Sequence, residues 1–192
     1  MSLDDRLAPW SGVTFRHIKI GASYDVLDFR YAGRGTDNRW NEPGEPALSL
    51  AGDVGVVIAE FGRHFADALS PALIPATASP TVYRLDIVLE RVLDLRDPAV
   101  WRDLSLRDAP GGFLEHDIAR ATARFLRRTT AAQALLAPSV AFHNDLSRWV
   151  LVVFLDTLPP DPATFIRAVS VAGPLPGGPG ERTELARRHP RA

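Results

Sequence analysis

Residues 38–64 read NRWNEPGEPALSLAGDVGVVIAEFGRH, and this stretch predicts a turn, a short strand and a helix in close succession. The prolines and glycine of 42–46 indicate the turn, and residues 47–50 indicate the strand. Asp53 is a typical helix N-cap, and apolar residues recur after it at helical spacing: Val54, Val57, Ile58, Phe61, Phe65 and Ala68. Arg39 before the turn and Glu60 within the helix indicate a site for an anionic ligand that contains a sugar.

The composition predicts a cytoplasmic globular protein. The length of 192 residues fits one domain. With 46% hydrophobic and 23% charged residues, the composition excludes extensive disorder. A formal net charge of -1 argues against direct binding of nucleic acid. The absence of cysteine excludes disulfides and a thiolate nucleophile. The acidic start MSLDDRLAPW does not resemble a signal peptide, and no window approaches the ~20 apolar residues of a membrane span.

Hydrophobic patterns along the chain predict a mixed α/β domain at 13–172, preceded by an irregular lead-in at 1–12 and followed by a flexible tail at 173–192. Strands are expected at 13–20, 47–50, 81–89, 92–95, 135–142, 149–155 and 166–171. The unbroken apolar run at 149–155 is typical of a central strand covered on both faces. The polar loop at 21–38 is long enough to have a function, and 71–80 is a proline-rich connector.

A long helix is expected at 114–135, with four apolar residues directed inward: Ile118, Ala121, Phe125 and Ala132. Its arginines would then lie elsewhere on its surface: Arg120, Arg124, Arg127 and Arg128. A solvated face is the favoured interpretation of these charges, and contact with a partner is the alternative.

Three side chains are candidates for a functional site, and each also has an ordinary structural interpretation. Arg39 is either a surface arginine stacked on Trp40 or a phosphate-binding guanidinium. Glu60 is either a solvated glutamate or a carboxylate that stabilises an oxocarbenium-like transition state. Ser139 after Pro138 is either a core hydroxyl or a site residue. The histidines show no metal-ligand spacing, so no metal site is expected.

In their order along the chain, the segments RWNEPGEPALSL, VVIAEFGRH, LLAPSVAF and RWVLVVFLD resemble the RES domain family, which is named for an arginine, a glutamate and a serine. The resemblance covers about residues 13–157. It places the family's arginine at Arg39, its glutamate at Glu60 and its serine at Ser139. The implied fold is a single compact α/β (α+β) domain with a mixed sheet, similar to that of ADP-ribosyltransferases.

One departure from the family pattern concerns the short strand, where RES proteins commonly have tyrosine in a P-x-x-Y arrangement. This chain has Ser49 at that position, which keeps a hydroxyl but lacks the ring. Trp40 and Tyr31 are candidates to replace the ring. Together with Arg39, Asn41 and Ser49, they are the expected NAD-binding residues.

The resemblance implies a bacterial toxin that depletes NAD by cleaving its nicotinamide–ribose bond, through hydrolysis or phosphorolysis. NAD would be the substrate, and no metal or further cofactor is expected. The implied partner is a cognate Xre-type antitoxin, a helical DNA-binding protein, and a homodimer within the toxin–antitoxin complex is left open. Two alternatives remain: a protein ADP-ribosyltransferase with the same site, and a non-catalytic RES-like binding module, which the serine at position 49 favours.

Overall fold

The computed structural model describes residues 2–18, 22–36, 38–66 and 80–175. These ranges contain six strands: β1 (Ala8–Ile18), β2 (Ala47–Ala51), β3 (Thr81–Asp94), β4 (Ala134–Pro138), β5 (Trp149–Phe154) and β6 (Ile166–Pro174). They also contain three α-helices: α1 (Val54–Ala66), α2 (Pro98–Asp103) and α3 (His116–Thr129). Short 3-10 turns lie between them. None of the described helices is long and apolar enough to cross a membrane.

The strands form one mixed sheet in the order β1-β2-β5-β4-β3-β6, with a further pairing between β1 and β3. Strand β3 is paired along both edges, with β1 on one side and with β6 and then β4 on the other. The β3–β4 pair is parallel and the other pairs are antiparallel. The pairings therefore lead from β1 through β2, β5, β4 and β3 back to β1. This arrangement confirms the predicted α/β class.

Two hydrophobic clusters lie on opposite faces of the strands because successive strand residues point to opposite sides. The first cluster is formed mainly by strand side chains, and it includes Leu48 and Leu50 of β2 together with Leu85 and Leu151. Other residues of the strands pack with the helices in the second cluster, which includes Val56, Ala119, Ala123 and Val152. The predicted central strand is confirmed, since β5 lies between β2 and β4 and its residues 150–154 are buried.

Several predicted boundaries differ from the structure. Strand β1 begins at Ala8, and Leu3–Arg6 forms a 3-10 helix, so the described part of the lead-in is not irregular. The strands expected at 81–89 and 92–95 are one continuous strand, β3, because β1 pairs with it on both sides of the predicted break. The connector at 71–79 and the tail from 176 lie outside the described residues. The N-cap prediction is confirmed: Asp53 Oδ1 accepts a hydrogen bond from the Val56 N–H at 3.0 Å.

The inward stripe predicted for α3 is wrong. Ile118 and Phe125 are 39% and 48% exposed, and the buried residues of the helix are Ala119, Thr122, Ala123 and Leu126. Alanine and threonine are small, so they allow the helix backbone to approach the structure beneath it more closely than Ile118 and Phe125 would. The helix also ends at Thr129, and residues 134–138, which include the last two expected for the helix, form β4.

Leu151→Ala should test the central position of β5. Leu151 is fully buried, so its truncation leaves a cavity and should lower the free energy of unfolding by about 2–5 kcal/mol. Val171→Ala is the matched control, since Val171 is 65% exposed and its truncation should change stability by less than about 0.5 kcal/mol. Urea unfolding measures both values. Equal effects of the two substitutions would contradict the assigned topology.

Candidate functional site

A cavity of about 250 Å³ lies where α1 packs against β1 and β2. Its chemically active lining comes from four elements and one loop: Arg16 and His17 of β1, Arg39 of the loop before β2, Ser49 of β2, Glu60 of α1, and His116 at the start of α3. Apolar residues such as Val57, Val140 and Val150 complete it. The charged groups of this cavity therefore comprise two guanidinium groups and one carboxylate.

Glu60 is held in the cavity by two hydrogen bonds to one of its oxygens. The Ser139 hydroxyl donates to Glu60 Oε1 at 2.7 Å, and the Ala141 N–H donates to the same atom at 3.3 Å. Ser139 is fully buried, and its own N–H donates to the Arg148 carbonyl at 2.9 Å. Two residues 79 positions apart in the sequence are thus in direct contact. Charge-assisted bonds of this length restrict the carboxylate to one orientation.

Arg39 lines the same cavity and also contacts the loop before α3. Its Nη1 donates to the carbonyl oxygens of Phe113 at 3.0 Å and Leu114 at 2.5 Å. Trp40 is buried, lines the cavity and packs against the Phe113 ring at a centroid distance of 5.2 Å. Arg39 and Trp40 therefore connect the loop before β2 to residues 113–114.

The structure does not place Asn41 or Tyr31 on the cavity wall. The Asn41 side chain is buried within its own loop, where Nδ2 donates to the Glu42 carbonyl at 3.0 Å. Tyr31 is 51% exposed, and its ring lies against the guanidinium groups of Arg30 and Arg34. Ser49 does line the cavity, and its side chain is exposed to it. Four of the expected ligand-binding and catalytic residues, namely Arg39, Trp40, Glu60 and Ser49, line this cavity.

Arg16, His17 and His116 also line the cavity, although the sequence does not single them out. His17 lies beside Phe61 of α1, with its ring edge-on at a centroid distance of 4.9 Å. The antiparallel register, in which Phe15 is opposite Ala51, would place His17 level with Ser49 if continued by two residues. No local motif marks these three residues. The spacing of the histidines bears only on metal binding, and Arg16 lies in an ordinary strand pattern. Within the described ranges no group of three or more His, Asp or Glu residues has the arrangement of a metal site.

Three arginines of α3 bind the loop that precedes β2. Arg120 donates to the carbonyl oxygens of Asn38 at 2.8 Å and Thr36 at 2.7 Å. Arg124 forms ion pairs with Glu42 at 3.0 Å and Glu45 at 3.2 Å.

Arg127 binds both the Pro46 carbonyl, at 2.8 Å, and the Asp156 carboxylate, at 2.5 Å. Its side chain is only 7% exposed. Because three of these arginines bind the segment that leads into β2, the solvated face predicted for the four arginines is wrong for Arg120, Arg124 and Arg127. Of the four, only Arg128 is exposed.

The contact between α3 and the loop before β2 changes the pKa of Glu45. Partial burial acts to raise the pKa of its carboxyl group, but the Glu42 N–H and the Arg124 guanidinium outweigh burial and lower the pKa below its ordinary value. The Glu42 N–H donates to Glu45 Oε2 at 2.9 Å. The carboxylate of Glu45 is therefore stabilised in its charged form by the folded structure.

Arg124→Gln should lower stability at neutral pH and reduce its sensitivity to acid. A carboxylate whose pKa is lowered by folding stabilises the fold above its unfolded pKa, about 4.3, and this contribution is lost as the pH falls through the folded value. We expect a deficit of about 0.5–1 kcal/mol at neutral pH that shrinks towards about pH 3. Urea unfolding at both pH values measures it.

The exposed Arg128 provides the control for this measurement. Arg128→Gln removes the same charge from the same helix without touching the loop, so its stability should follow that of the wild type at both pH values. A deficit of Arg124→Gln that grows in acid would contradict the role assigned to Glu45.

The same fold occurs in a solved toxin–antitoxin complex. A chain in the crystal structure of the M. tuberculosis MbcT–MbcA toxin–antitoxin complex aligns with this protein at a TM-score of 0.59 and 20% sequence identity. The alignment covers 96% of this chain and 94% of that chain. At this identity the similarity concerns the fold. No curated protein sequence matches this chain significantly.

The chain belongs to the RES domain family. The family model matches residues 14–175, a range that includes Arg39, Glu60 and Ser139. The resemblance found from sequence motifs is confirmed.

Proposed function

We propose that this chain is a RES-type toxin that depletes NAD by cleaving the bond between nicotinamide and ribose. The observation that carries the proposal is the Glu60 carboxylate, which lines the cavity and accepts the 2.7 Å hydrogen bond from Ser139. Family membership supports the same conclusion, since the matched range, residues 14–175, includes both residues. The nearby arginines make the cavity suitable for a dinucleotide with anionic phosphates.

The proposed reaction breaks the bond between the anomeric carbon of ribose and the ring nitrogen of nicotinamide. The electron pair leaves with nicotinamide, whose ring becomes neutral, and positive charge develops on the sugar. An oxygen of water or phosphate then bonds to the anomeric carbon. The products are ADP-ribose and a proton in hydrolysis, or phosphorylated ADP-ribose in phosphorolysis. A carboxylate beside the sugar stabilises this positive charge in the transition state.

The hydrogen bonds of Glu60 suit this role. In the described part of the chain both bonds go to Oε1, so Oε2 is available to accept a hydrogen bond from a ribose hydroxyl. The serine hydroxyl and the backbone N–H fix the carboxylate before substrate binds. This arrangement reduces the reorganisation that the reaction requires.

Arg39 and Trp40 are assigned to positioning of the dinucleotide. Arg39 adds positive charge to the cavity and holds residues 113–114 through two carbonyl oxygens. Trp40 supplies an apolar surface beside it. The exposed hydroxyl of Ser49 is a further donor for the ribose or nicotinamide.

The proposed partner is a cognate Xre-type antitoxin, a helical DNA-binding protein that covers the cavity. The MbcT–MbcA structure supports this proposal, because it contains a chain of the same fold in a toxin–antitoxin complex. The formal net charge of -1 fits a division in which the antitoxin, and not this chain, binds DNA. A homodimer within that complex is compatible with the proposal.

Glu60→Gln should lower the rate of NAD cleavage by about 10²–10³-fold, because the amide cannot neutralise positive charge on the sugar. Nicotinamide release from NAD by the purified protein, with and without phosphate, measures the rate and separates hydrolysis from phosphorolysis. Glu90→Gln is the control, since the Glu90 side chain is 81% exposed on β3. Label from NAD that remains on protein would instead indicate an ADP-ribosyltransferase, and binding without cleavage would indicate a binding module.

Ser139→Ala should lower kcat by about tenfold or more while changing KM less, because the freed Glu60 carboxylate can still contact NAD but is no longer oriented. Ser170→Ala, on the exposed face of β6, should leave both constants unchanged. Steady-state kinetics over a range of NAD concentrations distinguishes the two effects. A rise in KM alone would place Ser139 in ground-state binding rather than in the orientation of Glu60.

A further inference from the structure

Arg16 is a half-buried guanidinium that lines the cavity from the end of β1. Its Nη1 donates to the Val26 carbonyl, and its guanidinium lies 5.3 Å from the centre of the Phe29 ring. Both contacts orient the side chain, but neither neutralises its charge. A guanidinium has five N–H donors, so one carbonyl oxygen uses only part of its capacity.

In the part of the chain that the structure describes, the half-buried arginines that do not line the cavity are all paired with carboxylates. Each forms an ion pair, and they are Arg6, Arg84, Arg96, Arg120, Arg124, Arg127 and Arg148. Within the described ranges no carboxylate forms an ion pair with Arg16, and this includes Glu60 in the same cavity. The contrast singles out Arg16 as a cation placed in a cavity without its counter-charge.

The surroundings of Arg16 penalise its charge. Burial lowers the pKa of its guanidinium, and the nearby groups Tyr24, Asp25 and Asp28 only partly offset this effect. A partly desolvated charge without an ion-pair partner is costly to a fold. Such a cost is commonly tolerated where a ligand supplies the opposite charge.

We propose that Arg16 is the phosphate-binding residue of the cavity. The planar guanidinium offers the paired donors that phosphate oxygens accept. Arg39, by contrast, directs Nη1 to two backbone carbonyl oxygens and thereby holds residues 113–114 in place. The assignment rests on the proposed function for the identity of the ligand. The phosphate is either the pyrophosphate of the dinucleotide or the inorganic phosphate that attacks the sugar.

Isothermal titration calorimetry on the full chain tests the proposal with three probes: ADP-ribose, inorganic phosphate and adenosine, which lacks phosphate. Arg16→Gln should weaken the binding of a phosphate-containing probe by about 10- to 100-fold and leave adenosine unchanged. Loss confined to ADP-ribose identifies the pyrophosphate as the ligand, and loss confined to inorganic phosphate identifies the nucleophile. Arg128→Gln, which removes an exposed charge, should bind all three probes as the wild type does.

Two further measurements separate phosphate binding from a structural role. Arg16→Lys keeps the charge and the aliphatic stem, so it should restore part of the affinity that Arg16→Gln loses. In the wild-type chain, the Arg16 Nε–H signal in the NMR spectrum should shift when a phosphate-containing probe is added and stay in place with adenosine. An unmoved signal, equal affinities of Arg16→Gln and wild type for the phosphate probes, or an equal loss for adenosine overturns the proposal.

The outcome does not depend on catalysis. A chain that binds ADP-ribose through Arg16 without cleaving NAD would support this assignment and contradict the proposed reaction. A chain that cleaves NAD with unchanged phosphate binding in Arg16→Gln would do the reverse.

Discussion

Strand β3 is hydrogen-bonded along both of its edges, and β1, β4 and β6 take their positions from this pairing. One edge holds β1 along nearly its whole length, and the other holds β6 and β4 in succession. Backbone N–H and C=O groups in a buried strand need partners, and β3 finds them on both sides. Strand β1 then pairs with β2 where Phe15 lies opposite Ala51. This contact brings the end of β1 beside the strand and helix that carry Ser49 and Glu60.

The cavity is therefore assembled from segments that the sheet and helices hold separately. Glu60 lies on helix α1 and Ser139 directly follows β4. A 2.7 Å hydrogen bond joins their side chains. The loop with Arg39 has no regular structure of its own, and its position depends on the arginines of α3. Arg127 holds the end of this loop, because the Arg127 guanidinium contacts the Pro46 carbonyl, the Asp156 carboxylate and the Phe154 ring at once. Ion pairs that share such a network lose less conformational entropy than isolated surface pairs.

Helix α3 shows where periodicity misleads. Its sequence offers two overlapping faces, one with Ile118 and Phe125 and one with Ala119, Ala123 and Leu126. A rule based on hydrophobicity selects Ile118 and Phe125, but the structure buries Leu126 together with smaller residues of the helix. The arginines account for part of this choice, because their bonds to the loop fix the rotation of the helix about its axis. Which face is buried thus depends on contacts with residues 36–46 and 156, far away in the sequence.

Features that rest on local interactions can be read directly from the amino-acid sequence. These include the turn, strand and helix of residues 42–66, the cap at Asp53, the central strand β5, and membership of the RES domain family. Long-range contacts, by contrast, bring Glu60 against Ser139, leave Asn41 and Tyr31 off the cavity wall, and place three further residues on it: Arg16, His17 and His116. Caps, turns and alternation act between residues a few positions apart, whereas the cavity is formed by contacts between segments that are distant in the sequence.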